Sequence, residues 1–290
     1  MNYRLGAFGW LSAPGFIKDG GTSNVGLQDQ KLALEWVKDN IASFGGDPSR
    51  ITALGESAGA SSILHHIVSY GGPYSRKNPP VFQRAILQSP AFFPQADDNQ
   101  EKAIYDTFLS KAGVTSLKEL RDVDEDVLKN ASNLMIQRSP YGTFAFAPAE
   151  DGDYTPAPPS LLLKHGQFWH SIQVMVANNG DEGLLFAPPH IQSDDDFRSF
   201  VQNLLPAMKP GDLDSVLENY PVVGNEFTPK RNFIDGTKKV LADVGVICNT
   251  LFLVKAFGAE GVFKYVFNMF PAIHGLDTSF TVSDCVILFD

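Results

Sequence analysis

Apolar and polar positions alternate along this chain in two rhythms. Tyr3–Gly6, Ile51–Leu54, Arg84–Gln88, Ile172–Ala177 and Val262–Asn268 are short apolar runs bounded by turn formers, a pattern that predicts strands. Between the first two, Leu27–Ala42 carries Leu27, Leu34, Val37 and Ile41 at helical spacing. Ser23 or Asn24 stands at its N-cap position and Gly45-Gly46 follows where a helix should end. Ala58–Ser69 is a second helical stretch, closed by Gly71-Gly72-Pro73. Strand, helix, strand, helix predicts an α/β fold, a mostly parallel sheet with helices on both faces. Residues 97–138 and 194–258 break the rhythm with helical patterns and no strand between them; Phe197, Phe200, Val201 and Leu204 are periodic in the second. The expectation is one domain over residues 1–290 with helical insertions near 97–138 and 194–258.

Composition narrows the possibilities. A 290-residue chain with 43% hydrophobic and 19% charged residues can bury a sizeable core. Its net charge of −10 argues against a nucleic-acid partner. Acidic clusters such as Asp194–Asp196 read as a solvated face. Two cysteines, Cys248 and Cys285, are too few for a disulfide framework or a metal cluster. Cys248 lies in the apolar stretch Val244–Val254 and is expected as a buried thiol. No uninterrupted apolar run reaches the roughly 18 residues of a membrane span. Met1 leads directly into a strand-like run, with no secretory signal between. Localisation and oligomeric state stay open.

The candidate chemistry centres on Gly55-Glu56-Ser57-Ala58-Gly59, a G-x-S-x-G pattern between a predicted strand and a predicted helix. There a sharp strained turn pushes a serine hydroxyl clear of the chain. Side chains at the two glycines are expected to collide with the neighbouring strand and helix. A serine hydroxyl needs a base to become a nucleophile, and the base needs an orienting acid. His65 and His66 lie on the helix that starts at the serine and run away from it. His274 follows a strand, in Pro271-Ala272-Ile273-His274-Gly275, the end of a sheet where ligand sites form. The acid should follow a strand too, and Ile172–Ala177 leads into Asn178-Asn179-Gly180-Asp181-Glu182-Gly183. Local physics does not choose between Asp181 and Glu182.

Several motifs resemble the type-B carboxylesterase/lipase family, the group that includes cholinesterases and many fungal esterases. They are Asn2-Tyr3-Arg4-Leu5-Gly6-Ala7-Phe8-Gly9, Gly26-Leu27-Gln28-Asp29-Gln30, Phe44-Gly45-Gly46-Asp47-Pro48, Ala85-Ile86-Leu87-Gln88-Ser89, Asp151-Gly152-Asp153 and Asp181-Glu182-Gly183, beside Gly55–Gly59. Pro271–Gly275 followed by Asp277 is most similar to the fungal branch. The resemblance implies an α/β-hydrolase fold and hydrolysis of a small-molecule ester through a Ser57-His274-Glu182 triad and an acyl-enzyme, with no cofactor or metal. It also implies that the Ala58 N–H serves the oxyanion hole, that Glu56 is a buried carboxylate beside the nucleophile, and that Ser89 supports the triad. Intact relatives are often secreted. Phe93, Phe144, Phe146 and Phe186 are candidates for an apolar substrate pocket.

Against the family pattern, a segment preceding Asn2 is missing, with the first strands of the sheet and the glycine-rich oxyanion loop, and the chain stops 16 residues after His274. The sequence is therefore expected to be a partial domain. Beside an active esterase, the alternatives are a catalytically impaired truncated fragment and a non-catalytic esterase-like binding protein.

Overall fold

The computed structural model describes residues 1–75, 77–93, 98–205, 208–222 and 232–268. Among them is a four-stranded, wholly parallel sheet in the order β1 (Thr52–Glu56), β2 (Arg84–Gln88), β3 (Gln173–Asn179) and β4 (Val262–Phe267). Thr52 stands opposite Arg84, Arg84 opposite Gln173, and Val174 opposite Val262. Parallel neighbours cannot be joined by a tight turn, and each connection here returns through helices. The run Ala58–Ile67 joins β1 to β2, and the predicted helical insertions fill the two longer connections.

Alternation within the strands decides where the core sits. Ala53, Ala85, Leu87, Val174 and Val176 turn one way, onto Ala60, Ile63, Leu64 and Ile67 of the helix Ala58–Ile67 and onto Leu253. The other face carries the row Leu54, Ile86, Met175 and Phe263, of which Leu54, Met175 and Phe263 are exposed among the described residues. A second core joins Ala7, Leu11 and Ala13 to Tyr105, Phe108 and Leu109 of the helix Asp98–Ala112. A third gathers Phe197, Phe200, Val201 and Leu204 of Asp194–Leu204 with Val240 and Leu241.

Three local expectations meet a different outcome or a fuller explanation. Tyr3–Gly6 is not a strand: residues 1–5 are irregular and a short helix runs over Gly6–Trp10. Arg4 is tied to Asp29 by its backbone N–H (3.0 Å) and by its guanidinium (2.8 and 2.6 Å), so it cannot join a ladder. Gly6 at φ +56° then turns the chain, and Gly9 lets the Arg4 carbonyl come within 2.0 Å of where a Cβ would stand. Cys248 is exposed, not buried. A π-helical turn over Asp243–Ile247 rotates the helix face, so Asn249, Thr250 and Leu253 face inward in its place. The Asp194–Asp196 cluster is the first turn of a helix. Ser193 and Asp196 form a reciprocal capping box there, and the carboxylates complement the helix dipole.

The helix Phe233–Gly261, 29 residues including the π turn, is long and apolar enough by length and composition to cross a membrane. It supplies Val240 and Leu241 to one core and Leu253 to another. Its buried Asn249 holds the loop after β2, donating to the carbonyls of Pro90 and Phe92 at 3.0 Å each. Through these contacts the helix packs against the described core, with 39% of its most apolar window buried.

Candidate active site

Ser57 sits between β1 and the helix that follows, at φ +53° and ψ −118°. Its hydrogen bonds explain the strain. The Ser57 N–H donates to the Gln88 carbonyl of β2 (2.9 Å), extending the sheet, while its own carbonyl accepts from Ser61 N–H (2.9 Å), opening the helix. One residue thus serves both patterns, and only a backbone outside the ordinary regions can do so. A Cβ at Gly55 would stand 2.5 Å from the Gly59 carbonyl carbon, so β1 and the helix need that glycine. Gly59, by contrast, has nothing within 4 Å among the described residues. The expected collision exists at one glycine, not both. Ala58 is exposed at the first helical position, where backbone N–H groups have no intrahelical partner.

Ser57 and Ala58 line a cavity of about 670 Å³. Glu182 lines it as well, and so do Phe93, Phe144, Phe146 and Phe186, all four of the proposed pocket phenylalanines. The Phe93 and Phe144 rings lie 5.8 Å apart, and Phe144 meets Phe186 edge-on at 6.3 Å. The apolar walls favour an uncharged guest.

The two carboxylates that sequence left undecided have different surroundings. Glu182 is buried, and its Oε1 accepts from Asn179 N–H (2.6 Å) and from Ser89 Oγ (2.7 Å). The Asn179 side-chain amide donates to Ser89 Oγ at 3.1 Å, closing the cluster. A buried carboxylate is tolerable only with such donors. Asp181 turns away, partly exposed, to accept from Lys238 Nζ at 2.7 Å. Ser89 is itself buried at the end of β2 with φ +49°, so it stands under Glu182 and is enclosed by protein. Glu56 is half-buried, not buried, in register with Gln88, whose side-chain amide donates to Tyr265 Oη (2.9 Å).

His65 and His66 are buried and line neither Ser57 nor its cavity. Burial pushes the His65 imidazole down to about 4, against the opposing pull of the Ser61 carbonyl and Asp151. Burial also lowers His66, to about 3, where it bonds to the Tyr154 hydroxyl and the side-chain amide oxygen of Gln30. Both rings are neutral packing groups. His165, His170 and His190 are exposed. His274, with Pro271–Gly275 and Asp277, lies outside the described residues. Asn179 and Lys238 are supports that the sequence did not flag. The only local hint of Asn179 is its place in a turn-forming Asn-Asn-Gly run, and nothing near Lys238 marks it.

The sequence profile of the Carboxylesterase family matches residues 1–283. The chain belongs to that family. It is 36% identical over 280 residues to Carboxylesterase patB of Aspergillus clavatus, a match covering 96% of this chain and 50% of that protein. To the secreted triacylglycerol lipase LIP1 of Gibberella zeae it is 36% identical over 242 residues, or 80% of this chain and 41% of the other. The crystal structure of Aspergillus niger EstA superposes with a TM-score of 0.80 at 28% identity, covering 91% of this chain and 52% of that one. The chain therefore spans about half the length of the relatives it matches. The parallel sheet, crossover helices and strained serine between β1 and the next helix are those of an α/β-hydrolase. The departure of Tyr3–Gly6 from a strand does not alter that fold.

Proposed function

We propose that this carboxylesterase-family chain is a serine hydrolase of uncharged carboxylic esters. The reading rests above all on Ser57, strained at φ +53° in the wall of an apolar cavity that it shares with Glu182. In the proposed reaction His274 takes the Ser57 hydroxyl proton as Oγ attacks the ester carbonyl. Negative charge develops on the carbonyl oxygen, where the Ala58 N–H stabilises it. Glu182, held by Ser89 and Asn179, fixes the tautomer of His274 and stabilises its imidazolium. The alcohol leaves with the proton from His274, and an acyl-Ser57 ester remains. Water, deprotonated by the same histidine, then releases the carboxylic acid and restores Ser57.

Glu182 is the orienting acid in this proposal because it lies buried in the cavity wall, whereas Asp181 is engaged by Lys238. The four phenylalanines supply the surface for the acyl or alcohol group. Hydrolysis of p-nitrophenyl acetate and butyrate by the purified chain, measured beside Ser57→Ala, tests the proposal. Turnover that disappears in the variant is the expected result. Equal background rates from both proteins would overturn it.

A further inference from the structure

Part of the Ser57 cavity wall is a short stretch of loop after β2, Ala91, Phe92 and Phe93. It is anchored at successive positions. The Ala91 N–H reaches the Ser57 carbonyl at 3.4 Å, and the Phe92 N–H donates to the Gly245 carbonyl at 2.9 Å. The side-chain amide of buried Asn249 spans the carbonyls of Pro90 and Phe92 at 3.0 Å and that of Gly245 at 2.8 Å. Loop and π turn are therefore one unit. Tyr220 Oη steadies the turn at its start by donating to Asp243 (2.7 Å).

Phe93 completes the unit. Its ring tip lies on Gly245, where a Cβ would stand 2.6 Å from Cζ, 2.8 Å from Cε1 and 3.3 Å from Cε2. Gly245 is buried within the π turn, whereas Phe93 is half-buried and lines the cavity. The ring thus has protein on one side and the cavity on another. A helical backbone ordinarily favours alanine over glycine; here the absent side chain is what admits the ring. The backbone next to Phe93 is clamped by Asn249 and Gly245. A ring displaced from Gly245 must then turn about its own side-chain bonds, toward the cavity.

We propose that Gly245 is a specificity-determining residue: by seating the Phe93 ring, it sets how long an aliphatic chain the Ser57 cavity accepts from an ester. The proposal rests on the serine-hydrolase reading above. Crowding such a pocket by one methylene changes discrimination by about 10–200-fold.

The test compares wild type, Gly245→Ala, Phe93→Ala and the double variant on two pairs of esters. p-Nitrophenyl hexanoate against acetate lengthens the acyl side, and hexyl acetate against ethyl acetate lengthens the alcohol side. The readout is the long-to-short ratio of kcat/KM, in which the amount of folded enzyme cancels. Gly245→Ala should lower that ratio about tenfold in at least one series. Phe93→Ala, which leaves Gly245 untouched, should raise it, and the double variant should match Phe93→Ala because the ring that the new methyl displaces is gone. Wild-type ratios in both series for either single variant would overturn the proposal, as would a double variant as impaired as Gly245→Ala. In a Ser57→Ala background, where no ester is cleaved, calorimetric titration with p-nitrophenyl hexanoate and hexyl acetate should show the same loss and recovery as affinity. Absence of Ser57-dependent turnover in the wild type would sink the hydrolase reading, while these affinities still decide the role of Gly245.

Discussion

The two glycines of Gly55-Glu56-Ser57-Ala58-Gly59 are predicted to respond oppositely to the same substitution. At Gly55 an added Cβ would meet the Gly59 carbonyl carbon at 2.5 Å, its oxygen at 2.7 Å and the Ala60 nitrogen at 2.8 Å. All three are backbone atoms, with no rotamer to escape into. Ordinary contact begins near 3.4 Å, so β1 and the helix must separate by nearly 1 Å at the turn that holds Ser57. Overpacking of this kind costs about 1–3 kcal/mol. At about 2–4 °C per kcal/mol for a chain of this size, Gly55→Ala should lower Tm by roughly 2–12 °C. A displacement of about 1 Å at a reacting group also costs on the order of 10²-fold in rate. Gly59 is helical, with open space where its Cβ would go, so Gly59→Ala should be neutral or stabilising by up to about 1 kcal/mol. Thermal unfolding and p-nitrophenyl butyrate hydrolysis on both variants measure the contrast. The reasoning is refuted if Gly55→Ala matches the wild type, or if Gly59→Ala is equally damaging.

Other substitutions address the support of the site. Glu182→Gln should lower kcat by about 10³–10⁴-fold, whereas Asp181→Asn, which removes one of the two carboxylates paired with Lys238 and leaves Asp235, should cost less than tenfold and under about 1 kcal/mol; steady-state kinetics on the pair would expose a reversed assignment. Ser89→Ala takes one donor from buried Glu182 and should cost about 1–3 kcal/mol in urea unfolding, with kcat falling and KM unchanged. Burial raises the Glu101 carboxyl to about 7, against the Ser12 hydrogen bond and with help from Asp98, Glu150 and Asp151. Folding therefore favours its protonated form: that stability is present below the ordinary carboxylate range and is lost as pH rises through about 7. Glu101→Gln should remove this loss and hold Tm higher than wild type at pH 8; a wild-type-like decline between pH 5 and 8 would count against it.

Much of the fold was legible because its signals are local. Arg84–Gln88 is a strand with the boundaries its apolar run suggested, and the others begin and end within two residues of theirs, apart from the first. The failure at Tyr3–Gly6 is instructive. Its apolar run looks like a strand, but the Arg4–Asp29 pair spans 25 positions and takes up the Arg4 N–H that a ladder would need. Cys248 failed for a related reason. One π turn shifts a helix face, and no periodicity count over the surrounding apolar residues reveals the extra residue.

The site shows the same division between what a turn can say about itself and what its neighbours impose. Ser57 stood out as the candidate nucleophile because strain, glycine and helix start all fall within five consecutive residues. The surroundings that distinguish Asp181 from Glu182 were not visible, since the two are adjacent, equally charged and in the same turn. What separates them is 57 positions away, where Lys238 captures Asp181 and its carbonyl oxygen lies 1.8 Å from where a Cβ at Gly183 would be. Gly183 thus admits the helix Phe233–Ala242 against the turn, and that contact leaves Glu182 facing Ser89 and the cavity. Lys238→Met should therefore disturb Glu182 indirectly, lowering kcat several-fold while shifting stability by less than about 1 kcal/mol. Lys238→Arg, which can keep the ion pair, should restore most of the loss. A variant pair with equal kcat would show that the glycine contact alone orients the acid.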